Sequence, residues 1–212
     1  MKLLIIAFGL LFLSCSQNNK TSLEEVKFKT VAILPYKGIS KNEADTIAFA
    51  VGKFYGIKTI VLAERELPNS AFINIKSPRY RADSIIKIQD RNFPESADFV
   101  LGLTTKDISV TKNNPDGSIK KPVWRYNDFG VMGLAYRPGK SAIVSTFRLK
   151  SKNKALESER FKKVAIHEFG HNLGLPHCPN KRCIMESASE KIATIDNEKM
   201  QLCEACKKKL AP

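Results

Sequence analysis

The three histidines of the chain lie close together, in a stretch that reads HEFGHNLGLPH from His167 to His177. His167 and His171 are four residues apart, so on a helix they share one face, about 6 Å apart along the axis. Gly174 permits the left-handed turn that ends a helix, and Pro176 cannot continue it, which brings His177 back toward the other two. Three neutral imidazoles that leave a fourth position to water are typical of a catalytic zinc site. We therefore expect these three histidines to bind a catalytic zinc ion.

Glu168 directly follows the first of these histidines. It lies about 100° further around the same helix, where it can reach a water on the metal without being an inner ligand. Its expected role is that of a general base, which takes a proton from this water as the water attacks a carbonyl and passes it to the leaving amine. The motif therefore predicts zinc-dependent hydrolysis of peptide bonds.

The elements that must position these residues are predicted by hydrophobic spacing and capping signals. Val164 and Ala165 have the spacing of a buried helical face, which predicts a helix from about Leu156 to Leu173. Further upstream, alternating strands and helices predict an α/β fold with parallel strands. In order, these are a strand at Val31–Leu34, a helix from the capping box Ser40–Glu43 to Gly56, a strand at Ile57–Ala63, a helix at Tyr80–Gln89 and a strand at Phe99–Thr104.

Residues 105–129 interrupt this alternation, with turn signals at Asn113–Gly117 and at Lys120–Pro122. We predict a hairpin or a long surface loop there, near the site. Two further strands, Phe129–Tyr136 and Ser141–Leu149, are predicted to follow, joined by a short turn.

The histidine motif continues into a pattern of cysteines and one methionine, namely Cys178, Cys183, Met185, Cys203 and Cys206. The spacing H-E-x-x-H-x-x-G-x-x-H is the metzincin signature. With its continuation, the stretch from His167 to Cys206 resembles the archaemetzincin family at every spaced position. The resemblance implies a metzincin-like zincin fold, a twisted mixed sheet with helices, an active-site helix and a Met-turn. It also implies a small, zinc-braced C-terminal subdomain, so that an upper part would span residues 30–174 and a lower part residues 175–212.

The family resemblance further implies a second, structural zinc ion, held by the four cysteines of this pattern. Met185 would form the Met-turn, which underlies the zinc ligands and is not itself a ligand. Independently of the resemblance, four thiols are the number that a closed tetrahedral thiolate site needs. Disulfide pairing remains the alternative, because disulfides persist in compartments outside the cytoplasm.

The N-terminus has the pattern of an export signal. Lys2 is followed by an apolar run, Leu3–Leu13, that is too short to span about 30 Å of hydrocarbon as a helix. The following Ser14-Cys15 completes a sequence that resembles the lipobox of bacterial lipoproteins. We predict a signal peptide at residues 1–14, a lipid on Cys15 with a tether to residue 29, and a catalytic domain at 30–212. The protein would then be an extracytoplasmic lipoprotein anchored in a membrane. A plain secretory signal or a short anchor is the alternative.

The composition excludes several classes of protein. Of 212 residues, 43% are hydrophobic and 26% are charged, which is ordinary for one globular domain and excludes disordered and disulfide-scaffold proteins. The 35 Lys and Arg against 21 Asp and Glu give a net charge of +14. Such a surface suits an anionic membrane or acidic substrates, or simply keeps the protein soluble. No nucleic-acid-binding module is recognisable, so we expect no nucleic-acid partner, and we expect a monomer.

Three functional hypotheses follow. The first is an archaemetzincin-like zinc metallopeptidase that acts on peptide or protein substrates. The second is a catalytically silent zinc-binding or peptide-binding module on the same fold, against which the intact Glu168 argues. The third is hydrolysis of a non-peptide amide.

Overall fold

The structure is a computed structural model that describes residues 29–188 and 191–210. The predicted signal peptide, the predicted lipid site at Cys15 and the tether before Lys29 lie outside the described residues, so these stay predictions.

Nine strands and six α-helices form the described part of the chain. The strands are β1 (Thr30–Pro35), β2 (Lys58–Val61), β3 (Phe72–Asn74), β4 (Pro78–Arg81), β5 (Phe99–Thr104), β6 (Ile108–Val110), β7 (Phe129–Val131), β8 (Gly133–Ala135) and β9 (Ser141–Ser145). The helices are α1 (Lys41–Tyr55), α2 (Ala82–Arg91), α3 (Val123–Tyr126), α4 (Lys154–Asn172), α5 (Ile192–Asn197) and α6 (Glu204–Leu210). A single 3-10 turn spans Asn69–Ala71.

The larger sheet is a mixed sheet with the strand order β2-β1-β5-β9-β8. Its first four strands are parallel, and β8 pairs with β9 in the antiparallel direction at one edge. A smaller sheet has the order β3-β4-β6-β7 and is also mixed. The predicted α/β architecture with parallel strands is therefore confirmed.

The three central strands of the larger sheet, β1, β5 and β9, are buried on both faces, as expected for parallel strands covered by helices. Alternate residues of β1 point to opposite sides, so that Val31 and Ile33 pack with α1 and α4, and Ala32 and Leu34 pack with α2. Tyr55 of α1 and Phe169 of α4 meet edge to face at 5.2 Å between ring centres. This contact joins the two helices behind the sheet and leaves the opposite side of α4 for the site.

Three predicted strands are wrong in extent. Phe129–Tyr136 is interrupted at Met132, because β7 pairs with β6 in the smaller sheet and β8 pairs with β9 in the larger one. The strand that starts at Ser141 ends at Ser145, since the chain then turns and the Leu149 amide donates to the Thr146 carbonyl at 3.0 Å. The strand predicted at Ile57–Ala63 is shorter, covering Lys58–Val61.

Two predicted helices begin elsewhere than expected. The helix predicted from Tyr80 starts at Ala82, because Tyr80 pairs with Phe72 and Ile108 in the smaller sheet. The active-site helix starts at Lys154 rather than Leu156, because the Asn153 side chain caps it by accepting from two backbone amides.

The segment 105–129 is not a plain loop, because it contains β6 and α3. Between them, Asn113 and Ile119 form an isolated antiparallel bridge, which supports the predicted hairpin. Among the described residues, no helix is long and apolar enough to cross a membrane.

Candidate active site

Helix α4 presents His167 and His171 on one face, as the i, i+4 spacing predicts. The helix ends where expected, because Gly174 adopts a left-handed conformation with φ of 93°. The Gly174 amide donates to the His171 carbonyl at 2.8 Å, and the Leu175 amide donates to the Gly170 carbonyl at 3.0 Å. This reversal places His177 beside the two helical histidines.

The three imidazoles surround one point. Their ring centres are separated by 4.7 Å (His167 to His171), 5.3 Å (His167 to His177) and 4.8 Å (His171 to His177). One nitrogen from each ring can be chosen so that all three lie within 4.8 Å of one another. The structure therefore brings together the three predicted ligands of the catalytic zinc.

Backbone carbonyls orient the two helical imidazoles. His167 Nδ1 lies 2.8 Å from the Ile184 carbonyl oxygen, and His171 Nδ1 lies 2.7 Å from that of Leu175. A carbonyl can only accept, so each Nδ1 carries the proton and each Nε2 has a free lone pair for a metal. Both hydrogen bonds come from the segment after α4, which thereby sets the tautomers.

Burial keeps these imidazoles neutral. Burial, and then the neighbouring histidines, lower the pKa of His167 to about 3. Burial also lowers the pKa of His171 to about 4, and burial followed by Arg137 lowers the pKa of His177. Neutral imidazole is the form that binds a metal, so the donor set fits a zinc ion of the catalytic kind.

Glu168 lies in the same cleft as the histidines, with only 8% of its surface exposed. No side chain in the described part of the chain forms a hydrogen bond or ion pair with its carboxylate. Burial raises the pKa of Glu168 to about 8, and a zinc ion held by the histidines would lower it again toward the ionised form that a general base needs. The arrangement suits a base that acts on a water, since nothing else in the described site occupies its oxygens.

Gly133 of β8 leaves the space that Glu168 fills. A Cβ atom at residue 133 would lie 2.5 Å from the Glu168 Cγ and 2.6 Å from its Oε1. Any larger residue would therefore collide with the acid. This was not foreseen from the sequence, because a glycine in a strand has many explanations.

Met185 lies directly beneath α4, as the Met-turn hypothesis requires. Its side chain is fully buried, and a Cβ at Gly170 would lie 2.6 Å from its sulfur. Its carbonyl accepts from the Cys178 amide at 2.7 Å, so the turn also holds the chain next to His177. Packing against the helix between His167 and His171 makes it a support for the ligands.

The four cysteines form a second cluster, with all four sulfurs within 4.8 Å of one another. The sulfurs of Cys178 and Cys203 are 3.6 Å apart, and those of Cys183 and Cys206 are 3.9 Å apart. A tetrahedral ion with zinc–sulfur bonds of about 2.3 Å requires about 3.8 Å between sulfurs, whereas a disulfide requires about 2.05 Å. None of these four cysteines is in a disulfide, and their spacing fits a zinc ion.

Amide groups point at these sulfurs. The Asn180 side chain donates to the Cys203 sulfur at 3.2 Å, and the backbone amides of Asn180 and Cys203 donate to Cys178 and Cys183 at 3.4 Å each. The Asn180 hydrogen bond is the main cause that lowers the pKa of Cys203 to about 6. Such donors stabilise thiolates, the form in which cysteine binds zinc.

His167, His177 and Glu168 border a cleft of about 500 Å³. One side is formed by Met132 and Gly133 at the edge of the larger sheet, and another by Ile192 and Ile195 of α5. Lys112 and Phe129 also line it, so the segment 105–129 does lie near the site as predicted. The cleft is large enough to hold part of a peptide chain.

Helix α5 was missed by sequence reasoning, although it forms a wall of the cleft. The Arg160 guanidinium of α4 holds it by pairing with both Asp196 carboxylate oxygens at 2.7 Å each. Lys163 adds a hydrogen bond to the Ile195 carbonyl at 2.9 Å. A six-residue helix has too little periodicity to be recognised, but two basic residues on the buried face of α4 were a usable signal.

Comparison with known proteins extends the similarity beyond the motif. The model of peptidase family M54 matches residues 23–212. The archaemetzincin of Methanocaldococcus jannaschii is 31% identical over 191 residues, which cover 87% of this chain and 94% of that protein. The archaemetzincin of Halobacterium salinarum is 27% identical over 187 residues, with 84% and 97% covered.

Solved structures of archaemetzincins show the same similarity. The crystal structure of archaemetzincin from Methanopyrus kandleri aligns with a TM-score of 0.71 at 26% identity, covering 89% of this chain and 96% of that one. The structure of archaemetzincin from Archaeoglobus fulgidus, complexed with malonate, aligns with a TM-score of 0.68 at 25% identity, covering 85% and 99%. The similarity therefore includes the sheets upstream of the histidines as well as the site.

Proposed function

The chain belongs to peptidase family M54, the archaemetzincins, and on that premise we propose how its own residues carry out zinc-dependent peptide hydrolysis. His167, His171 and His177 hold the catalytic zinc ion, and Glu168 is the general base. The observation that carries these roles is a buried carboxylate without a partner in the described chain, beside a cluster of three imidazoles, two of which line the same cleft.

Zinc, when bound, supplies a Lewis acid that polarises the scissile carbonyl and makes a water more acidic. Glu168 accepts the proton of that water as the water attacks the carbonyl. The same carboxyl group then donates the proton to the nitrogen of the leaving amine, which completes the cleavage. Burial makes the Glu168 carboxylate a stronger base than an exposed glutamate, which favours its acceptance of the proton from the water.

The edge strand β8 provides a place for the substrate backbone. It pairs with β9 on one side only, and its first residue, Gly133, borders the cleft. An extended peptide can therefore add to this edge by main-chain hydrogen bonds, which places a peptide bond beside Glu168. This binding mode favours peptide or protein substrates over small non-peptide amides.

Replacement of Glu168 by alanine tests the mechanism. Glu168→Ala should retain zinc, because the three histidines are untouched, and should lower peptide cleavage by at least about 10²-fold to 10⁴-fold. Metal analysis and cleavage of a mixed peptide library measure the two properties. Glu204→Ala, at an exposed acid of α6, is the matched control and should cleave like the parent. Cleavage at the parent rate by Glu168→Ala would refute the assignment.

We propose two zinc ions in the protein, the second bound by Cys178, Cys183, Cys203 and Cys206. Support comes from the sulfur separations near 3.8 Å and from the amide donors around them. This ion has a structural role, because four thiolates leave no open position for a substrate. The silent-module alternative has no support in the comparisons, and the intact Glu168 has no purpose in it.

We also propose that the protein is exported and anchored as a monomeric lipoprotein. In this proposal residues 1–14 are the signal peptide, Cys15 carries lipid, residues 15–29 form the tether and residues 30–212 form the catalytic domain. The upper part of this domain ends at Gly174. Cys15→Ser should move the protein from the membrane fraction to the soluble fraction and abolish labelling with a radioactive fatty acid. A membrane fraction unchanged by this substitution would contradict lipidation.

A further inference from the structure

Glu198 is a second buried acid of the cleft. It directly follows α5, and its amide donates to the Thr194 carbonyl at 3.0 Å, which fixes its backbone. Only 5% of its surface is exposed, and it lines the cleft together with His167 and Glu168. The mechanism above makes no use of it.

The carboxylate of Glu198 has no hydrogen bond or ion pair with any described residue. Lys163, the cation that attracts this carboxylate, is engaged elsewhere, with Glu159 at 3.0 Å and with the Ile195 carbonyl at 2.9 Å. On the outer side Lys181 is likewise paired, with Glu186 at 3.0 Å. Burial is the main cause that raises the pKa of Glu198 to about 8, and it outweighs the attraction of Lys163.

The cations that line the cleft already have partners. The Arg148 guanidinium donates to both carboxylate oxygens of Asp107, at 2.8 and 2.9 Å. Lys112 lies with its Nζ 3.6 Å from the centre of the Phe129 ring. Glu198 is therefore, like Glu168, an acid of the described cleft whose carboxyl group has no hydrogen-bond or ion-pair partner.

Part of the wall of the cleft that Glu168 and Glu198 line is apolar. This part is formed by Val164 of α4 and by Ile192 and Ile195 of α5. A substrate side chain that crosses this wall needs an aliphatic stem, and one that reaches Glu198 gains from a cationic head that donates hydrogen bonds. Lysine and arginine are the amino acids that combine both.

We propose that Glu198 makes this peptidase selective for substrates with a lysine or arginine next to the scissile bond. The inference rests on the proposed peptidase function and deepens it. Burial favours the protonated form of Glu198 in the empty protein, and a substrate cation beside it would favour the ionised form, with which the cation pairs. Glu198 is thus a specificity residue and takes no part in the chemical step.

Cleavage of a peptide library, read by mass spectrometry, tests the preference in the full zinc-loaded protein. The parent should cut peptides with Lys or Arg at the selected position about tenfold or more faster than peptides with norleucine there. Glu198→Gln should remove most of this advantage, measured as the ratio of the two cleavage rates, whereas Glu198→Asp should keep part of it. Glu204→Gln, an exposed acid, is the matched control and should keep all of it.

A binding measurement separates failure of this inference from failure of the proposed function. Fluorescence anisotropy on the Glu168→Ala background needs no turnover, and a lysine peptide should bind about tenfold more tightly than its norleucine analogue. Adding Glu198→Gln should equalise the two affinities. Equal binding of both peptides before that change would overturn the specificity inference, even if the parent cleaves peptides. Tighter binding of the lysine peptide without cleavage by the parent would overturn only the peptidase assignment.

Discussion

At the residue scale, the size of residue 133 decides whether the Glu168 side chain fits into the site. Glu168 is placed by helix geometry next to the first histidine, but its side chain fits only because residue 133 has no Cβ. Strand β8 passes so close that one methyl group at this position would overlap the carboxylate. The general base is therefore positioned by two segments that are far apart in the sequence.

Gly133→Ala should lower turnover by at least about tenfold, because the new methyl group pushes the Glu168 carboxylate away from its position. Zinc content should be unchanged, since no histidine contacts the new atom. Cleavage kinetics and metal analysis give both values. Gly117→Ala is the control, because a Cβ there has no neighbour within 4 Å, so any strain from its φ of 85° stays local. Parent-like turnover in Gly133→Ala would contradict this account of β8.

At the scale of elements, the site depends on how α4 ends. The helix provides two ligands, and the turn at Gly174 then delivers the third and carries the carbonyl of Leu175 to His171. Residue 174 has a φ of 93°, where a side chain is strained even though its nearest neighbour, a carbon of Pro138, would be 4.0 Å away. The turn thus requires glycine because of its left-handed backbone conformation, and not because a side chain would lack space.

Gly174→Ala should lower the free energy of unfolding by about 1–2 kcal/mol and weaken zinc binding, because a relaxed turn moves His177. Gly174→Asn should lose less, since asparagine tolerates the left-handed conformation. Denaturant unfolding of the zinc-free protein and zinc titration measure the two effects. An alanine variant equal to the parent in both would show that the turn imposes no such requirement.

At the scale of the whole molecule, the cysteine cluster connects the segment after His177, the Met-turn and helix α6. Cys178 follows the third histidine, Cys183 precedes Met185, and Cys206 lies on the C-terminal helix α6. An ion bound by all four thiolates would fasten the Met-turn to the end of the chain. Metal binding of this kind contributes directly to folding stability.

Metal and thiol counts on residues 16–212 test this role. The parent should contain two zinc ions, His171→Ala one, and Cys206→Ser one. In His171→Ala, a chelator should lower the melting temperature and expose four reactive thiols, because only the cysteine site then holds metal. No free thiols after chelation under non-reducing conditions would show disulfides in place of the second zinc ion.

The sequence by itself determined the features that depend on neighbouring residues. The i, i+4 histidines, the following glutamate and the helix end at Gly174 lie within a few turns of one another, so helix periodicity alone predicts their arrangement. The parallel order of the strands at Val31–Leu34 and Phe99–Thr104 likewise followed from local hydrophobic runs. The cysteine pattern and the role of Met185 came from the family resemblance.

Only the tertiary structure decided which distant segments meet. Three features depend on such meetings. They are the change of sheet at Met132, the contact of Gly133 with Glu168 and the position of Glu198 in the cleft. Each brings together segments that are separated by more than 30 residues or by a change of partner strand. Hydrophobic periodicity shows that a side chain is buried, but not against which partner, because many pairings bury the same apolar surface. The ligands of the zinc site could therefore be read from the sequence, and the walls of its cleft could not.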